Sequence, residues 1–478
     1  MPRWGAALVG VWLLGACSTV SVTDDALAMP EAVSRVSAWQ TVSPVAPDSD
    51  QALALTAWWL AFNDDTLTTL IDASLQAHSS VRSAQAALAQ SRAQRDVTEA
   101  ATLPGLRASG AAQRAGTGSG ATSSAFRAGL DASWELDVFG ARRLGVEAAE
   151  ADLLAAAAQL GQARVSLAAE VALTYLEWLT QHQRLQVARQ NLIWQEEAQQ
   201  ITLWRQQAGL ASQLEVDQTT ILVAQTRAAI APIASSLQQT RNALAVLVGL
   251  PPQEALPLPA EPVIPQWTGG IALDIPMTTL RQRPDVQVAE ARVRAAVARR
   301  DQAAVASYPT FSLAGSMDWR APRLTDLLDA SALSRALVAS VGASLFDGGA
   351  NRAREQAQMA ALEQARIALE AAWLSALQEV EGALLSLQSS QQRVLLLTEA
   401  AAAAARAEDL ARQRYQSGLI DTRALLDAQR TRLNAESEQV TALATRSADH
   451  VRLIKALGGG WSRDELAQDM KASRHEDH

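Results

Sequence analysis

Four stretches of the chain alternate apolar and polar residues with period two, as β-strands with one apolar face do. The clearest spans Phe126–Val138, where apolar residues hold the even positions over 13 residues. The other three lie at 106–112, which is weaker, at 311–320 and at 337–345. A strand of 13 residues is longer than a usual soluble strand and suits a tilted membrane strand. The pattern predicts two hairpins, at about 106–138 and about 310–347. A soluble two-hairpin sheet is the alternative.

Long proline-free stretches with helical spacing accompany the hairpins. One covers 66–101, and another covers about 141–207, which would be about 100 Å long as a helix. In the second, apolar residues recur every seven positions, as at Val146, Leu153 and Leu160. Such heptads predict supercoiled helix packing. A soluble coiled-coil rod would explain the helices equally well, but it would not explain the alternating strands.

The two halves of the chain repeat each other. At an offset of 209 positions, Gly140 matches Gly349 and Gly209 matches Gly418. Upstream of position 130 the offset falls to 205, so a loop differs in length by four residues between the copies. Self-similarity over this length predicts a duplicated unit of helix, hairpin and helix.

A proline-rich segment separates the copies. Its prolines forbid a helix and suit an extended strap. The predicted domains are a signal peptide at 1–16, a lipidated extended segment at 17–56, repeat 1 at 57–250, a linker at 251–270, repeat 2 at 271–460 and a polar tail at 461–478.

The number of predicted strands bears on assembly. Two hairpins supply four strands, which cannot close a barrel in lipid, where each unpaired edge group costs several kcal/mol. The chain is therefore expected to oligomerise. Two copies would give eight strands and a filled interior, whereas three would give twelve and leave room for water.

The N-terminus has the plan of a secretory signal, with Arg3 ahead of an apolar run at 6–14 and small residues before Cys17. Cys17 is the only cysteine, and its setting resembles a bacterial lipobox, which implies cleavage before Cys17 and acylation. Since Ser18 follows rather than aspartate, analogy with lipoprotein sorting implies the outer membrane. An ordinary signal peptide is the alternative. No later stretch has 18 consecutive uncharged apolar residues, so no transmembrane helix is predicted.

Composition supports helices in close contact. Of 478 residues 49% are hydrophobic but only 4% aromatic, so small helix-forming side chains dominate. The net charge of −9 argues against nucleic acid as a partner.

Nothing in the sequence favours an enzyme. No internal pair of histidines has metal-ligand spacing, and the one cysteine belongs to the N-terminus, so neither a metal nor a cofactor is expected. The five histidines are His78, His182, His450, His475 and His478. The glycine-rich "GTGSG" at 116–120 lies between two predicted strands and is interpreted as a hairpin loop.

Several motifs together resemble the TolC-like outer membrane efflux proteins, in their NodT-type lipoprotein branch. They are "WWLAFNDDTLTTLIDASL" from Trp58, "WELDVFG" from Trp134, "RQRPDVQVAEA" from Arg281, "SLFDGG" from Ser344, "RYQSGLIDTRALLDAQR" from Arg414 and "KALGGGW" ending at Trp461. The sequence departs from the family at "HSSV", 78–81. The resemblance implies a mainly helical fold with membrane strands: a homotrimer with a 12-stranded β-barrel continued by a 12-helix periplasmic α-barrel.

The resemblance also implies roles for particular residues. Gly140 and Gly349 would form the turns from barrel to tunnel. Arg205, Gly209, Arg414 and Gly418 would mark the periplasmic tips that contact an adaptor.

Two acidic residues are candidates for a pore constriction. Asp427 matches the family's acidic position at the aperture, and Asp217 lies at a nearby position in the other copy. Arg423, one helical turn before Asp427, could pair with it or widen the mouth.

The resemblance therefore indicates an outer membrane exit duct for small toxic compounds, with an adaptor and an inner membrane pump as partners. A duct for secreted polypeptides and a periplasmic coiled-coil lipoprotein without a channel are the alternatives.

Overall fold

The computed structural model describes residues 55–116, 118, 122–269 and 280–461. The signal peptide, Cys17 and the tail beyond Trp461 lie outside these residues. The described chain divides into two compact units. A hairpin unit comprises residues 93–152 and 290–369, and a helical unit comprises the remaining described residues.

The hairpin unit contains one antiparallel sheet in the order β1-β2-β3-β4. The strands are β1 at Gly105–Gly116, β2 at Thr122–Leu136, β3 at Thr310–Ala321 and β4 at Leu333–Gly342. Arg107 lies opposite Asp131 and Arg127 opposite Arg320, so the alternating polar positions meet on one face. The other face carries the apolar residues predicted from the alternation.

The fourth strand is shorter than the sequence pattern suggests. Alternation extends to Leu345 and the hairpin was expected to reach about 347, but β4 ends at Gly342. Gly342 lies opposite Thr310, the first residue of β3, so the ladder ends there. The Asp347 carboxylate accepts hydrogen bonds from the Gly349 and Asn351 amides at 2.9 and 2.8 Å and so caps the next helix.

Seven α-helices in the described chain follow the order expected of a duplication. They are α1 at Asp65–Ala77, α2 at Ser79–Ala100, α3 at Ala141–Gln207, α4 at Gln213–Leu247, α5 at Pro284–Val305, α6 at Ala350–Gln416 and α7 at Thr422–Ala456, after a 3-10 helix at Leu55–Phe62. The bounds of α3 and α4 recur in α6 and α7 at an offset of 209, and those of α2 and β1 recur in α5 and β3 at 205. The four-residue difference found in the sequence thus lies in the hairpin loops.

The helical stretch over 66–101 is divided into α1 and α2. His78 separates them with an extended backbone, φ −67° and ψ 139°, and its amide still donates to the Ser74 carbonyl. His78 Nδ1 accepts a hydrogen bond from the Ser80 amide at 3.3 Å, which satisfies a donor in the first turn of α2. The break coincides with the "HSSV" departure.

The core of the helical unit is rich in aromatic side chains. Trp58 is 2% exposed and makes edge contacts with Trp59 and Phe62. The sequence assigns Trp461 to the polar tail, and the structure corrects this assignment. The Trp461 ring is buried against Gly161, where a Cβ would lie 2.7 Å from it. At this position glycine is required for the Trp461 ring to pack this closely against α3.

One helix in the described chain passes a length and composition test for membrane crossing. This helix is α4, with mean hydropathy 1.2 over its best window and 17% of that window buried. The sequence prediction required 18 consecutive apolar residues, and α4 does not have them, because polar residues such as Gln225, Arg227 and Ser235 interrupt its apolar run. Such a helix by itself is weak evidence of a membrane span.

His450 is a buried titratable group in this core. Its ring stacks on Trp267 with centroids 5.7 Å apart, and Nδ1 donates to the Arg446 carbonyl at 2.9 Å. Burial lowers the pKa of His450, the Arg446 charge lowers it further, and the Asp449 charge opposes the shift. Burial also lowers the pKa of His182.

Acidification should therefore destabilise the protein. The unfolded histidines take up protons near pH 6.5, whereas the folded ones resist protonation, so stability present above about pH 6.5 is lost as the pH falls below it. We expect the thermal midpoint of the purified protein to fall between pH 8 and pH 5. In His450→Gln the fall should be smaller, because the contribution of His450 is removed and that of His182 remains. An unchanged pH profile in His450→Gln would contradict the assignment.

Candidate functional site

The turn between α3 and α4, one of two that we call the tip turns, ends the first long helix in a well-defined way. The Leu210 amide donates to the Arg205 carbonyl at 2.7 Å, and the Gly209 amide donates to the Gln206 carbonyl at 2.9 Å. This pair of bonds is the Schellman motif, which requires the residue at Gly209 to have positive φ. Gly209 has φ +75°, a conformation that costs glycine little.

The second tip turn, between α6 and α7, repeats the first. The Leu419 amide donates to the Arg414 carbonyl at 2.9 Å, and the Gly418 amide donates to the Tyr415 carbonyl at 2.9 Å. Gly418 also has φ +75°. The backbone therefore explains the glycine of the repeated "RxxxG" pattern, which must be left-handed, but not the arginine, because any residue could supply the carbonyl.

Gly418→Ala should lower the unfolding free energy by about 1 kcal/mol, because the alanine must adopt positive φ. No atom lies within 4 Å of the Cβ position at Gly418, so strain rather than a clash is the cause. Gly382 is the matched control, because its Cβ position is also open but it lies inside α6 with a helical backbone. Gly382→Ala should raise stability by about 0.5–1 kcal/mol. Thermal unfolding of both variants tests this pair, and equal shifts would contradict it.

The two tip arginines differ in their surroundings. The Arg205 guanidinium lies over the Tyr415 ring, 5.0 Å from its centroid, as in a cation–π contact. Arg414 is exposed. The equivalence implied by the motif thus holds for the backbone but not for the side chains.

Tyr415 is the centre of a largely buried group of side chains that we call the tip cluster: Thr202, Glu215, Tyr415, Thr422 and Leu425. Tyr415 is 1% exposed, and its hydroxyl lies 2.8 Å from Thr202 Oγ1. Thr422 Oγ1 approaches the same hydroxyl at 3.4 Å. Since these residues come from α3, α6 and the start of α7, the cluster links helices of both repeats.

Glu215 joins the fourth helix to the tip cluster. It forms a capping box with Ser212 at the start of α4, and its Oε1 accepts a hydrogen bond from Thr422 Oγ1 at 2.9 Å. The pKa of Glu215 lies below its usual value, first because the Ser212 amide donates to it and also because Thr422 does. Its carboxylate therefore stays ionised to a lower pH than a free glutamate does, and it keeps accepting both hydrogen bonds over that range.

A second link lies farther along the same helices. Arg432 on α7 pairs with Glu408 on α6 at 2.9 Å and with Glu436 at 2.8 Å. Its guanidinium also lies 4.1 Å from the centroid of Trp194 on α3. Glu408 is fully buried, so the arginine compensates a charge that burial alone would disfavour.

The predicted constriction residues are exposed in the single chain. The Asp427 side chain has no hydrogen bond or ion pair with the described residues, and Arg423 forms no ion pair with it there. Asp217 accepts a hydrogen bond from Gln213 Nε2 at 3.0 Å. Arg423 is thus not a partner of Asp427 within one chain, and the constriction role of Asp427 and Asp217 remains a prediction.

The two predicted turns from strand to helix also have positive φ, +80° at Gly140 and +89° at Gly349. Asp137 accepts hydrogen bonds from the Arg142 and Arg143 amides at 3.1 and 2.8 Å, which caps α3. Asp347 has the corresponding place before α6. The two aspartates differ by one position in the repeat register, so helix capping tolerates this shift.

Sequence reasoning missed the tip cluster. The capping box "SQLE" at 212–215 is readable as a helix start and could have drawn attention to Glu215. Tyr415 has no aromatic counterpart in repeat 1, where Gln206 stands, so the repeat itself gave no signal for it. Among the residues that the structure describes, no group of three metal-ligating side chains is found.

Comparison with known proteins places these features in a family. A family model described as outer membrane efflux protein matches residues 70–250 and 275–459. The chain is 32% identical over 472 residues to outer membrane protein OprJ of Pseudomonas aeruginosa, with 96% of each protein covered. It is 30% identical over 461 residues to the pyoverdine export outer membrane protein OpmQ of Pseudomonas putida, over 94% of this chain and 96% of that protein.

A solved structure agrees with the sequence matches. The open state of the Neisseria gonorrhoeae MtrE outer membrane channel superposes with a TM-score of 0.83 and 29% identity. The match covers 91% of this chain and 98% of that one.

Proposed function

The chain belongs to the outer membrane efflux protein family, and from this we propose that it exports small toxic compounds through the outer membrane. It is an outer membrane channel with a large periplasmic part. We infer that it works as a trimer within a tripartite efflux system. The observation that carries the proposal is the family match across both repeats, since each repeat contributes a hairpin and long helices.

The proposed partners are a periplasmic adaptor and an inner membrane pump. The tip turns are the proposed contact with the adaptor, because Leu210 and Leu419 are 71% and 73% exposed beside Gly209 and Gly418. Exposed leucines on an ordered turn are suited to burial against a protein partner. The channel itself needs no cofactor, since the pump would supply the energy.

Deletion of the gene followed by a susceptibility screen tests the function. Antibiotics, dyes, organic solvents and metal salts should be compared in the deletion strain and in the strain complemented with the wild-type chain. Increased sensitivity to small compounds, restored by complementation, is expected. Loss of a secreted protein without any change in sensitivity would favour a duct for polypeptides.

Reconstitution in a planar bilayer separates a channel from a coiled-coil lipoprotein. The purified trimer should conduct ions in potassium chloride and keep a heat-resistant β signal in detergent. A protein that merely bridges envelope layers would show neither.

Asp427→Ala should lower the cation preference of the reconstituted channel and weaken block by multivalent cations, because three carboxylates around a narrow pore attract cations. Glu438→Ala is the matched control. Glu438 is an exposed acid on the same helix, and 11 residues make about three turns, so both lie on one face roughly 16 Å apart. If both variants change the reversal potential equally, Asp427 is not at the constriction.

A further inference from the structure

In the proposed channel, the polar face of the four-stranded sheet is the face turned to the lumen, since lipid excludes it. Its opposite face carries the apolar positions of every strand, and these belong against lipid in an outer membrane barrel. The polar positions share one face because of the strand register: Arg107 pairs with Asp131, Gly129 with Asp318, Arg127 with Arg320 and Asp318 with Ser334.

Two arginines lie side by side on this face. Arg127 on β2 and Arg320 on β3 are direct register partners, near the hairpin-loop end of the sheet. Directly opposed residues have their Cβ atoms about 4.5–5.5 Å apart, and like charges at that separation repel each other. A fold under no other demand would place an opposite charge or a neutral residue at one of the two positions.

Only one of the two arginines has a partner. The Arg127 guanidinium pairs with Asp318, with Nη2 and Nε lying 2.7 and 2.8 Å from Oδ1. The Arg320 guanidinium makes no hydrogen bond or ion pair with any residue that the structure describes, and it is exposed on the lumen face.

Gly129 makes room for the Arg127–Asp318 pair. A Cβ at Gly129 would lie 2.5 Å from Asp318 Oδ1, closer than real contacts allow. A side chain there would push the carboxylate away from Arg127 and leave it free to reach other partners. The backbone thus commits Asp318 to Arg127 and leaves Arg320 with unused donors.

Asp131 does not compensate Arg320 either. It lies two polar positions farther along β2, directly opposite Arg107. Arg127, Arg320 and Asp318 together therefore leave one uncompensated positive charge per chain at this level of the barrel, and three chains surround the lumen with the same arrangement.

We propose that Arg127 and Arg320 of the three chains form an anion-binding belt in the barrel lumen, with Arg320 as the free donor. This rests on the proposed channel function. The class of occupant is a solute with clustered negative charge, such as a compound carrying carboxylates or phosphates. Guanidinium groups bind such groups through paired hydrogen bonds, and rings of charged side chains select ions in pores.

The belt would attract anions, whereas the predicted carboxylates of Asp427 would attract cations. An anionic compound would gain a binding site at the belt, and cations would be repelled at this level of the barrel.

Block of the reconstituted channel by inorganic tripolyphosphate tests the belt. Added on the side of the hairpin loops, tripolyphosphate should reduce the potassium chloride current of the wild-type trimer. In Arg320→Gln, the concentration for half block should rise about tenfold, since charge-assisted hydrogen bonds are lost.

Arg335→Gln is the matched control. Arg335 on β4 lies opposite Met317, on the apolar face of the same sheet, so it loses the same charge without facing the lumen. Its half-block concentration should equal that of wild type. Asp318→Asn should move the value the other way, because Arg127 is then released as a second free donor.

Each outcome has a distinct meaning. If wild type is not blocked, or if Arg320→Gln is blocked as strongly as wild type, the belt is refuted although the channel still conducts. A wild-type trimer without any conductance would refute the proposed function instead. Equal losses in Arg320→Gln and Arg335→Gln would indicate a general surface-charge effect and would also overturn the belt.

Heat-resistant trimer on a gel shows that each variant is folded, and the two Arg→Gln variants suffice if Asp318→Asn does not assemble.

Discussion

The double variant Tyr415→Phe/Thr422→Val should open the periplasmic end of the channel and raise its conductance. It removes the hydroxyls that link Tyr415 to Thr202 at 2.8 Å and Thr422 to Glu215 at 2.9 Å, together with the 3.4 Å contact between them. Because each hydroxyl carries one proton, these contacts amount to two hydrogen bonds. At about 1 kcal/mol per hydrogen bond, the loss of about 2 kcal/mol would shift a closed-to-open equilibrium roughly thirtyfold. The phenylalanine ring would still fill the space, so packing is retained.

The measurement is the current of single reconstituted trimers. More frequent or permanent high-conductance states are expected in the double variant. Tyr175→Phe is a matched control, since Tyr175 is also fully buried and its hydroxyl donates to Asp64 at 3.0 Å away from the tip turns. It should lower thermal stability without raising conductance. A double variant that conducts like wild type would show that the tip cluster does not hold the aperture.

Arg283→Met should cause a large loss of stability. The guanidinium is 6% exposed and pairs with Asp285 at 2.6 Å and with Glu379 at 2.7 Å. It also donates to the Ala456 carbonyl at 2.6 Å. Arg283 therefore joins the start of α5 and the end of α7 to α6. Breaking a buried pair by removing one partner costs about 3–5 kcal/mol, and the partial exposure of Glu379 places this case near the lower end.

The duplicated chain supplies the control for Arg283. At the offset of 205, His78 takes its place in repeat 1, and Ser80 takes the place of Asp285. His78→Met removes a hydrogen bond to Ser80 but no buried ion pair, so its effect should be less than about 1 kcal/mol. The thermal midpoint of the trimer in detergent compares the two variants. Similar losses at both positions would mean that the ion pairs of Arg283 contribute little.

The periodic features of the chain could be predicted because periodicity needs no knowledge of long-range contacts. Alternation in β2 follows from the strand geometry, and the 67 residues of α3 follow from a long proline-free heptad pattern. The end of β4 could not be predicted, since Leu345 continues the alternation although the ladder stops at Gly342, opposite the first residue of β3. Strand length depends there on where the partner strand begins, which alternation in one strand does not record.

The candidate site divides in the same way. Gly209 and Gly418 were found because the duplication repeats a backbone requirement that only a few residues satisfy. The tip cluster was not found, because Tyr415, Thr202 and Glu215 are far apart in the chain and meet only when four helices pack. The free guanidinium of Arg320 likewise depends on strand register, which brings Arg127 and Asp318 together across 191 residues.

By itself the sequence determined the duplication, the strands with one apolar face, the long helices and the glycine turns. Each of these depends on local backbone geometry and on the spacing of apolar side chains, which the order of residues records directly. Only the tertiary structure decided which polar side chains are buried together, which arginine is compensated and where the last strand ends. These outcomes depend on the distances between residues remote in sequence, and a small difference between competing contacts selects among them.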